Sequence, residues 1–313
     1  MRDDGRIIKQ AYDNAFAIYG LAAYADAADN KEALDLAYRA FQWLDQHAHD
    51  AGYGGYFNFM QRDGTPFEQG YDGTSPKDQN SSIHLLEAFT ELYHLRPDPH
   101  LEDHLREMLV LVRDTIRVDP GYLTLFSEAD WEPVSYRDSS EAVRQANYYY
   151  DHVSFGHDVE TAYLMHEAAE VLGMEGDSTT QYYGKQMVDH ALENGWDNRR
   201  GGFYDGGYYF EEGSELTIIN DAKNWWSQAE GLNAMLLMAG LYPEEPPEYH
   251  RYFLQLWQYI DEYLIDHEHG GWFEWGQDQS PETRHDSKGH IWKTNYHDGR
   301  AMMNAIRYLS DEF

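Results

Sequence analysis

Apolar residues recur at three- and four-residue spacing along most of the chain, which is the spacing of helix faces. The pattern predicts nine helices, over 12–28, 31–46, 80–95, 100–116, 157–172, 177–194, 224–240, 247–266 and 297–310. Those beginning near Tyr12, Asn80, His157, Asn224 and His297 carry small and apolar residues on most faces, as buried helices do. The helices between them are amphipathic and more charged, and so should lie outside. One polar residue near the start of each buried helix keeps a beat: Asn14, His84, His157, Gln228 and His297 are separated by 70, 73, 71 and 69 residues. A second marker follows the outer helices, at Gly55-Tyr56, Gly121-Tyr122, Gly202-Phe203 and Gly271-Trp272. A period this long signals a repeat of helical hairpins. Hairpins closing into a toroid would bring the polar markers to one concave centre. The stretch from Asp119 to Ser154 reads as a long loop, of the kind that serves as a lid or binding segment. It ends in Tyr148, Tyr149 and Tyr150, just before His157.

Composition narrows the possible functions. The 313 residues hold no cysteine, which excludes a disulfide framework, a thiolate zinc site and a cysteine nucleophile. Acidic residues outnumber basic ones 56 to 23, for a net charge of −33, so nucleic acid is not an expected partner. Dispersed acids with scarce lysine resemble a surface adapted to high salt. No apolar run is long enough to span a membrane, and MRDDGRIIKQ lacks the apolar core of a signal peptide; a cytoplasmic protein is expected. Aromatic residues reach 15%, with 26 Tyr and 9 Trp, which fits either a tyrosine-rich core or the stacking surfaces of a carbohydrate site.

The candidate chemistry lies in the buried-helix starts. His157 and Glu160 share a helix face at i and i+3, so the carboxylate could orient the imidazole. His84 and His297 head two further buried helices, and histidine is the side chain suited to proton transfer near neutrality. A metal site is not expected: there is no HExxH, and His267-Glu268-His269 falls in a loop. The strings KDQNSSIHLLEAF, SFGHDVE, KNWWSQAE and WKTNYHDGR resemble the signature segments of the N-acylglucosamine 2-epimerase superfamily, most closely its cellobiose 2-epimerase branch and the mannose-epimerising relatives. The resemblance runs over essentially the whole chain. It implies an all-α (α/α)6 barrel that needs neither metal nor cofactor and interconverts aldoses at C2 through an enediolate. It further implies that His157 and His297 are the acid/base pair, with His84 assisting ring opening and Glu160 supporting His157. Trp226 and Trp292 would pack on the sugar, with Asn80, Tyr12 and Glu230 completing the substrate site. The expected partner is a mono- or disaccharide, and the protein is expected to be a monomer or weak homodimer.

The chain departs from the family pattern in several places. Nine helices stand where the family has twelve, so the single catalytic domain, 1–313, is expected to lack the first three. DDGRIIK resembles the approach to the family's fourth helix. A missing hairpin would expose apolar side chains on the helices at 12–28 and 297–310. It would also remove an arginine that family members direct at the substrate oxygens, and no residue here takes that role from sequence. The family's paired His-x-His is Ser82-Ile83-His84, and Ser227 stands at a position often proline. The long segment Pro133–Tyr150 suggests a narrow pocket and a small sugar, the glucose/mannose pair. An aldose–ketose isomerase of the same superfamily is the main alternative. A glycoside hydrolase on an (α/α)6 barrel is disfavoured, because the markers are histidines where that chemistry needs two carboxylates. A sugar-binding remnant without activity is a further alternative.

Overall fold

The computed structural model describes residues 8–211 and 213–310. The turn expected at DDGRIIK lies, up to Ile7, outside them. Among the described residues there are ten α-helices: α1 (Ala11–Ala28), α2 (Lys31–Ala48), α3 (Gln79–Leu95), α4 (Pro99–Leu111), α5 (Glu141–Asp151), α6 (Phe155–Val171), α7 (Ser178–Gly195), α8 (Trp225–Leu241), α9 (Tyr249–Tyr263) and α10 (Tyr296–Ser310). All nine predicted helices are found. The last turn of the fourth is a π-helical stretch, Val112–Ile116. No helix among the described residues is long and apolar enough to cross a membrane.

The chain divides into two compact units. One takes in the described residues up to 118, with 123–151 and 164–181; the other takes in 119–122, 152–163 and the described residues from 182 onward. In the first, α1 packs on α2 and α3, and α3 on α4; in the second, α8 packs on α9 and α10. Helix α3 is buried almost all round from Gln79 to Leu92, and α8 from Trp225 to Met238, as their apolar composition requires. Helices α2 and α9 each bury one stripe: Ala33, Ala37, Phe41, Leu44 and Ala48 in the former, Tyr249, Phe253, Leu256, Tyr259 and Ile260 in the latter. Side-chain oxygens start four of the described helices, the first through Asn30, which accepts from Ala33 N at the head of α2. Asp78 accepts from Ser81 N, Asp98 from His100 N and Leu101 N with Pro99 at the first position, and Asn224 from Ser227 N.

Two expectations are corrected. Helices α1 and α10 are not buried on most faces. Helix α1 buries the Ala11, Ala15, Ile18, Ala22 and Ala25 stripe, and α10 buries Arg300, Ala301, Asn304 and Ala305. The apolar exposure expected on these helices is present on α10, where Met303 is 58% and Ile306 66% exposed. The Asp119–Ser154 stretch is not an irregular loop, because it contains α5. Ser140 O receives the first helical bond, from Arg144 N at 2.9 Å. The buried Asp151 folds the segment back on itself, its Oδ2 accepting from Tyr136 N at 2.6 Å and Ser135 Oγ at 3.1 Å. Tyr149 and Tyr150 pack against Phe126, at ring separations of 5.4 and 5.1 Å.

The glycine–aromatic marker is a recurring turn with an aspartate at its head. Asp50, Asp197 and Asp266 each stand four residues before a Gly-Gly-aromatic triplet. Each Oδ1 accepts the backbone N–H groups two and three residues on. Both glycines of every pair have positive φ, between +71° and +85°. A lysine from beyond the turn closes it. Lys77 Nζ lies 2.7 Å from Asp50 Oδ2 and 2.9 Å from Gly54 O, and Lys223 Nζ lies 2.7 Å from Asp197 Oδ2 and 2.9 Å from Gly201 O. Lys288 makes the same pair of contacts with Asp266 and Gly270 O. A chain poor in lysine thus buries two of them completely: Lys77 against one carboxylate and the carbonyls of Gly54 and Ala129, and Lys223 against the carboxylates of Asp197 and Asp278 and the carbonyl of Gly201. In the second turn Gln228 adds a clamp, its Oε1 accepting from Phe203 N and its Nε2 donating to Phe203 O. A Cβ on Gly202, at φ +85°, would stand 2.9 Å from that Oε1. Gly202→Ala should therefore destabilise the protein by roughly 1–3 kcal/mol in urea unfolding, as left-handed strain at a non-glycine residue does. An unchanged midpoint would show that the turn does not constrain this position.

Candidate active site

Counting along each helix changes which residues hold equivalent positions in their own helices. His84 is the sixth residue of α3, Glu160 the sixth of α6 and Glu230 the sixth of α8, while Arg300 is the fifth of α10. His157 is the third of α6, Gln228 the fourth of α8 and His297 the second of α10. His157 and His297 therefore keep the expected common phase to within one residue, whereas His84 stands three to four residues further along its own helix: a near-70-residue beat tolerates a slip of about one helical turn. Two markers have structural work elsewhere. Gln228 is the turn clamp, and Asn14 Nδ2 donates to Gln10 O at 2.7 Å.

The second unit brings a charged cluster together. His297 Nδ1 lies 2.7 Å from Glu230 Oε1 and 3.8 Å from Glu160 Oε1. The Arg300 guanidinium bridges the two carboxylates, at 3.0 Å from Glu160 Oε1 and 2.8 Å from Glu230 Oε2. Glu230 also accepts from Asn233 Nδ2 at 3.0 Å, and Arg300 donates to Tyr296 Oη at 2.8 Å. Below these, Asn304 Nδ2 donates to Tyr163 Oη at 2.8 Å. Both carboxylates are fully buried, which is tolerable only because a cation is buried with them. Burial alone would raise the Glu230 carboxyl; the Arg300 charge and the His297 hydrogen bond outweigh it and hold it down, to about 2. An ionised Glu230 only accepts, so Nδ1 of His297 carries the proton between them.

His157 stands beside this cluster. Its Nδ1 lies 2.8 Å from Ser154 Oγ, and its ring packs at 4.6 Å against Trp226 with the planes tilted by 43°; Trp226 lies 5.8 Å from the His297 ring. Gly156 permits the approach: a Cβ there would meet Ser227 Oγ at 2.1 Å and the Trp226 ring at 2.6 Å. Ser227, where the family often has proline, is fully buried at this contact. Glu160, expected to support His157, has further partners in the cluster. Its carboxylate ion-pairs with Arg300 and faces His297.

Arg300 is the functional residue that sequence reasoning missed. The string WKTNYHDGR held the signal, since Arg300 follows His297 by three residues and so shares its face of α10. Glu160, Glu230 and His297 approach closely enough to share a cation, but the guanidinium already supplies positive charge between the carboxylates. Trp292 is 65% exposed, its backbone N–H donating to His290 Nδ1 at 3.2 Å.

The first unit holds the other predicted residues. His84 is buried, with Nδ1 3.1 Å from Glu87 Oε2, and its ring meets Tyr12 at 5.4 Å and Phe16 at 4.8 Å. Asn80 is half-buried one turn before it, with Oδ1 shielded from solvent and unpaired among the described residues.

Comparison with known proteins bears on this arrangement. Residues 2–300 match the family model described as N-acylglucosamine 2-epimerase (GlcNAc 2-epimerase). The cellobiose 2-epimerase of Bacteroides fragilis is 30% identical over 303 residues, covering 95% of this chain and 71% of the relative. That of Ruminococcus albus is 31% identical over 317 residues, covering 96% and 72%. The solved structure of cellobiose 2-epimerase from Spirochaeta thermophila superposes with a TM-score of 0.80 at 28% identity, over 97% of this chain and 71% of that one. The all-α, (α/α)6-class fold expected from sequence is thereby established.

Proposed function

We propose, because this chain belongs to the N-acylglucosamine 2-epimerase family, that it is an isomerase interconverting an aldose and its C2 epimer. The observation that carries the reading is the pair of imidazoles on Trp226, one of them hydrogen-bonded to a buried, ionised Glu230. The C2 proton of an open-chain aldose is acidic because the C1 carbonyl can take up the charge. One imidazole removes that proton, and the electron pair moves into a C1–C2 double bond as the carbonyl oxygen becomes an enediolate oxygen. The other imidazole, in its protonated form, returns a proton to the opposite face of C2. The carbonyl re-forms and the centre is inverted.

In this reading Glu230 orients His297 through Nδ1 and so assigns proton transfer to Nε2, and Ser154 does the same for His157. Arg300 is a positioning residue that keeps Glu230 ionised beside the reacting imidazole and ties it to Glu160. Trp226 offers the sugar an apolar face. His84, held by Glu87, is the candidate for ring opening, with Tyr12, Asn80 and Trp292 as substrate contacts.

The names of the two curated relatives support cellobiose, reacting at its reducing-end glucose, as the first substrate to test. The small-sugar alternative, the glucose/mannose pair, rests on the length of the Pro133–Tyr150 segment and its place before His157. Incubation with cellobiose, glucose and mannose in D2O, followed by NMR, should show the 2-epimer with deuterium at C2 and a higher kcat/KM for cellobiose than for the free hexoses. A ketose product would make the protein an aldose–ketose isomerase, and a cleaved disaccharide would make it a hydrolase.

A further inference from the structure

The first unit carries a second cluster of ligating groups, on α2 and α4, that the proposed chemistry does not use. His100 and His104 stand at i and i+4 of α4 and so face the same way. Asp45 of α2 lies between them, with Oδ2 2.8 Å from His100 Nε2 and Oδ1 3.1 Å from His104 Nε2. One ligand atom from each residue lies within 4.8 Å of the others. Among the described residues, the two imidazoles are the only polar partners of this carboxylate. The neighbouring His49–Glu107 pair differs, because Glu107 Oε1 also receives Gly55 N at 2.8 Å and so holds the first glycine turn.

We propose that Asp45, His100 and His104 form a binding site for a late first-row divalent cation, Zn²⁺ or a close relative. Two neutral imidazoles and one carboxylate are a zinc ligand set, with remaining positions for water. Two histidines one helical turn apart supply the paired nitrogens on one helix face, and α2 supplies the oxygen. A hydrogen-bonded N–H···O pair at 2.8–3.1 Å opens by only a few tenths of an ångström to admit a metal with bonds of roughly 2.0–2.2 Å to each atom. His104 has the support that zinc-bound histidines have: its Nδ1 lies 3.0 Å from the hydroxyl of the buried Tyr56, which fixes the ring and leaves Nε2 for the metal. The site opens to solvent through His100, which is 54% exposed. A metal here would cross-link two helices and add stability by binding the folded state alone. No part of the epimerase proposal requires it.

The test is titration of the metal-stripped protein with ZnCl2, followed by calorimetry and thermal unfolding, alongside His100→Ala and Asp45→Asn. The wild-type protein should bind one equivalent with a Kd in or below the micromolar range and gain in Tm. Each variant should weaken binding at least tenfold and lose the gain, with C2 exchange unchanged in the metal-stripped proteins. Absence of binding by the wild-type protein, or unaltered binding by His100→Ala, would overturn the site. Zinc binding that survives His100→Ala and disappears in His297→Ala would place the ion in the Glu160–Glu230–His297 cluster and overturn it equally.

Discussion

Replacing His297 or His157 by Asn should lower the rate of C2 proton exchange by about 10²–10⁴-fold, the usual contribution of a positioned acid or base. Each ring has its Nδ1 held by a neighbour, Glu230 Oε1 at 2.7 Å and Ser154 Oγ at 2.8 Å, so each is oriented for proton transfer through the other nitrogen. Asn keeps a polar side chain of similar reach while removing a group that can both take and give a proton near neutrality. Deuterium incorporation at C2 of the sugar, followed by NMR, reads the step directly. A circular-dichroism melt of each variant separates lost chemistry from lost fold. Near-full exchange in either variant, with the fold intact, would remove that histidine from the acid/base pair.

Arg300→Met should destabilise the protein at pH 7 by about 3–5 kcal/mol, because it leaves two buried carboxylates without their shared cation. The pH dependence carries the sign. Glu230 is held below its unfolded value, so its contribution is fully present above about pH 4.5 and is lost as pH falls toward about 2. Without Arg300, burial raises the carboxyl and it takes up a proton at higher pH. The gap between wild type and variant should therefore be widest at neutral pH and close on acidification, as the carboxylates of both proteins become neutral. Arg300→Lys should recover part of the stability, since it restores the charge without the fork that spans both carboxylates. Urea unfolding from pH 3 to 7 makes the comparison. A penalty that is the same at every pH would mean that Arg300 contributes packing and not charge.

The helices were legible in the sequence because nine of them carry long apolar periodicity, and burial enforces that pattern residue by residue. The helix that was missed, α5, is short and carries, just before its last residue, three consecutive tyrosines, which have no helical period. Its start signal, Ser140 followed by Glu141, is local and weak beside the length of the segment. The family resemblance was legible for a different reason: its four segments lie at helix starts, where caps, turns and site residues crowd into a few consecutive positions.

The sequence by itself determined the all-α class, the helical-hairpin repeat, the family, and the presence of His157, Glu160, Trp226, Glu230 and His297 near helix starts. Only the tertiary structure decided how these groups pair. It assigned Glu230 to His297 and made Gln228 a turn clamp. It also turned Arg300, one more charge in an acidic chain, into the cation that two buried carboxylates share. It brought Asp45 onto the His100–His104 face from a separate helix. The reason is geometric. Spacing within one helix predicts who shares a face, but contacts between helices depend on axial offsets of a few residues, and an approximate 70-residue period does not resolve a shift of one helical turn.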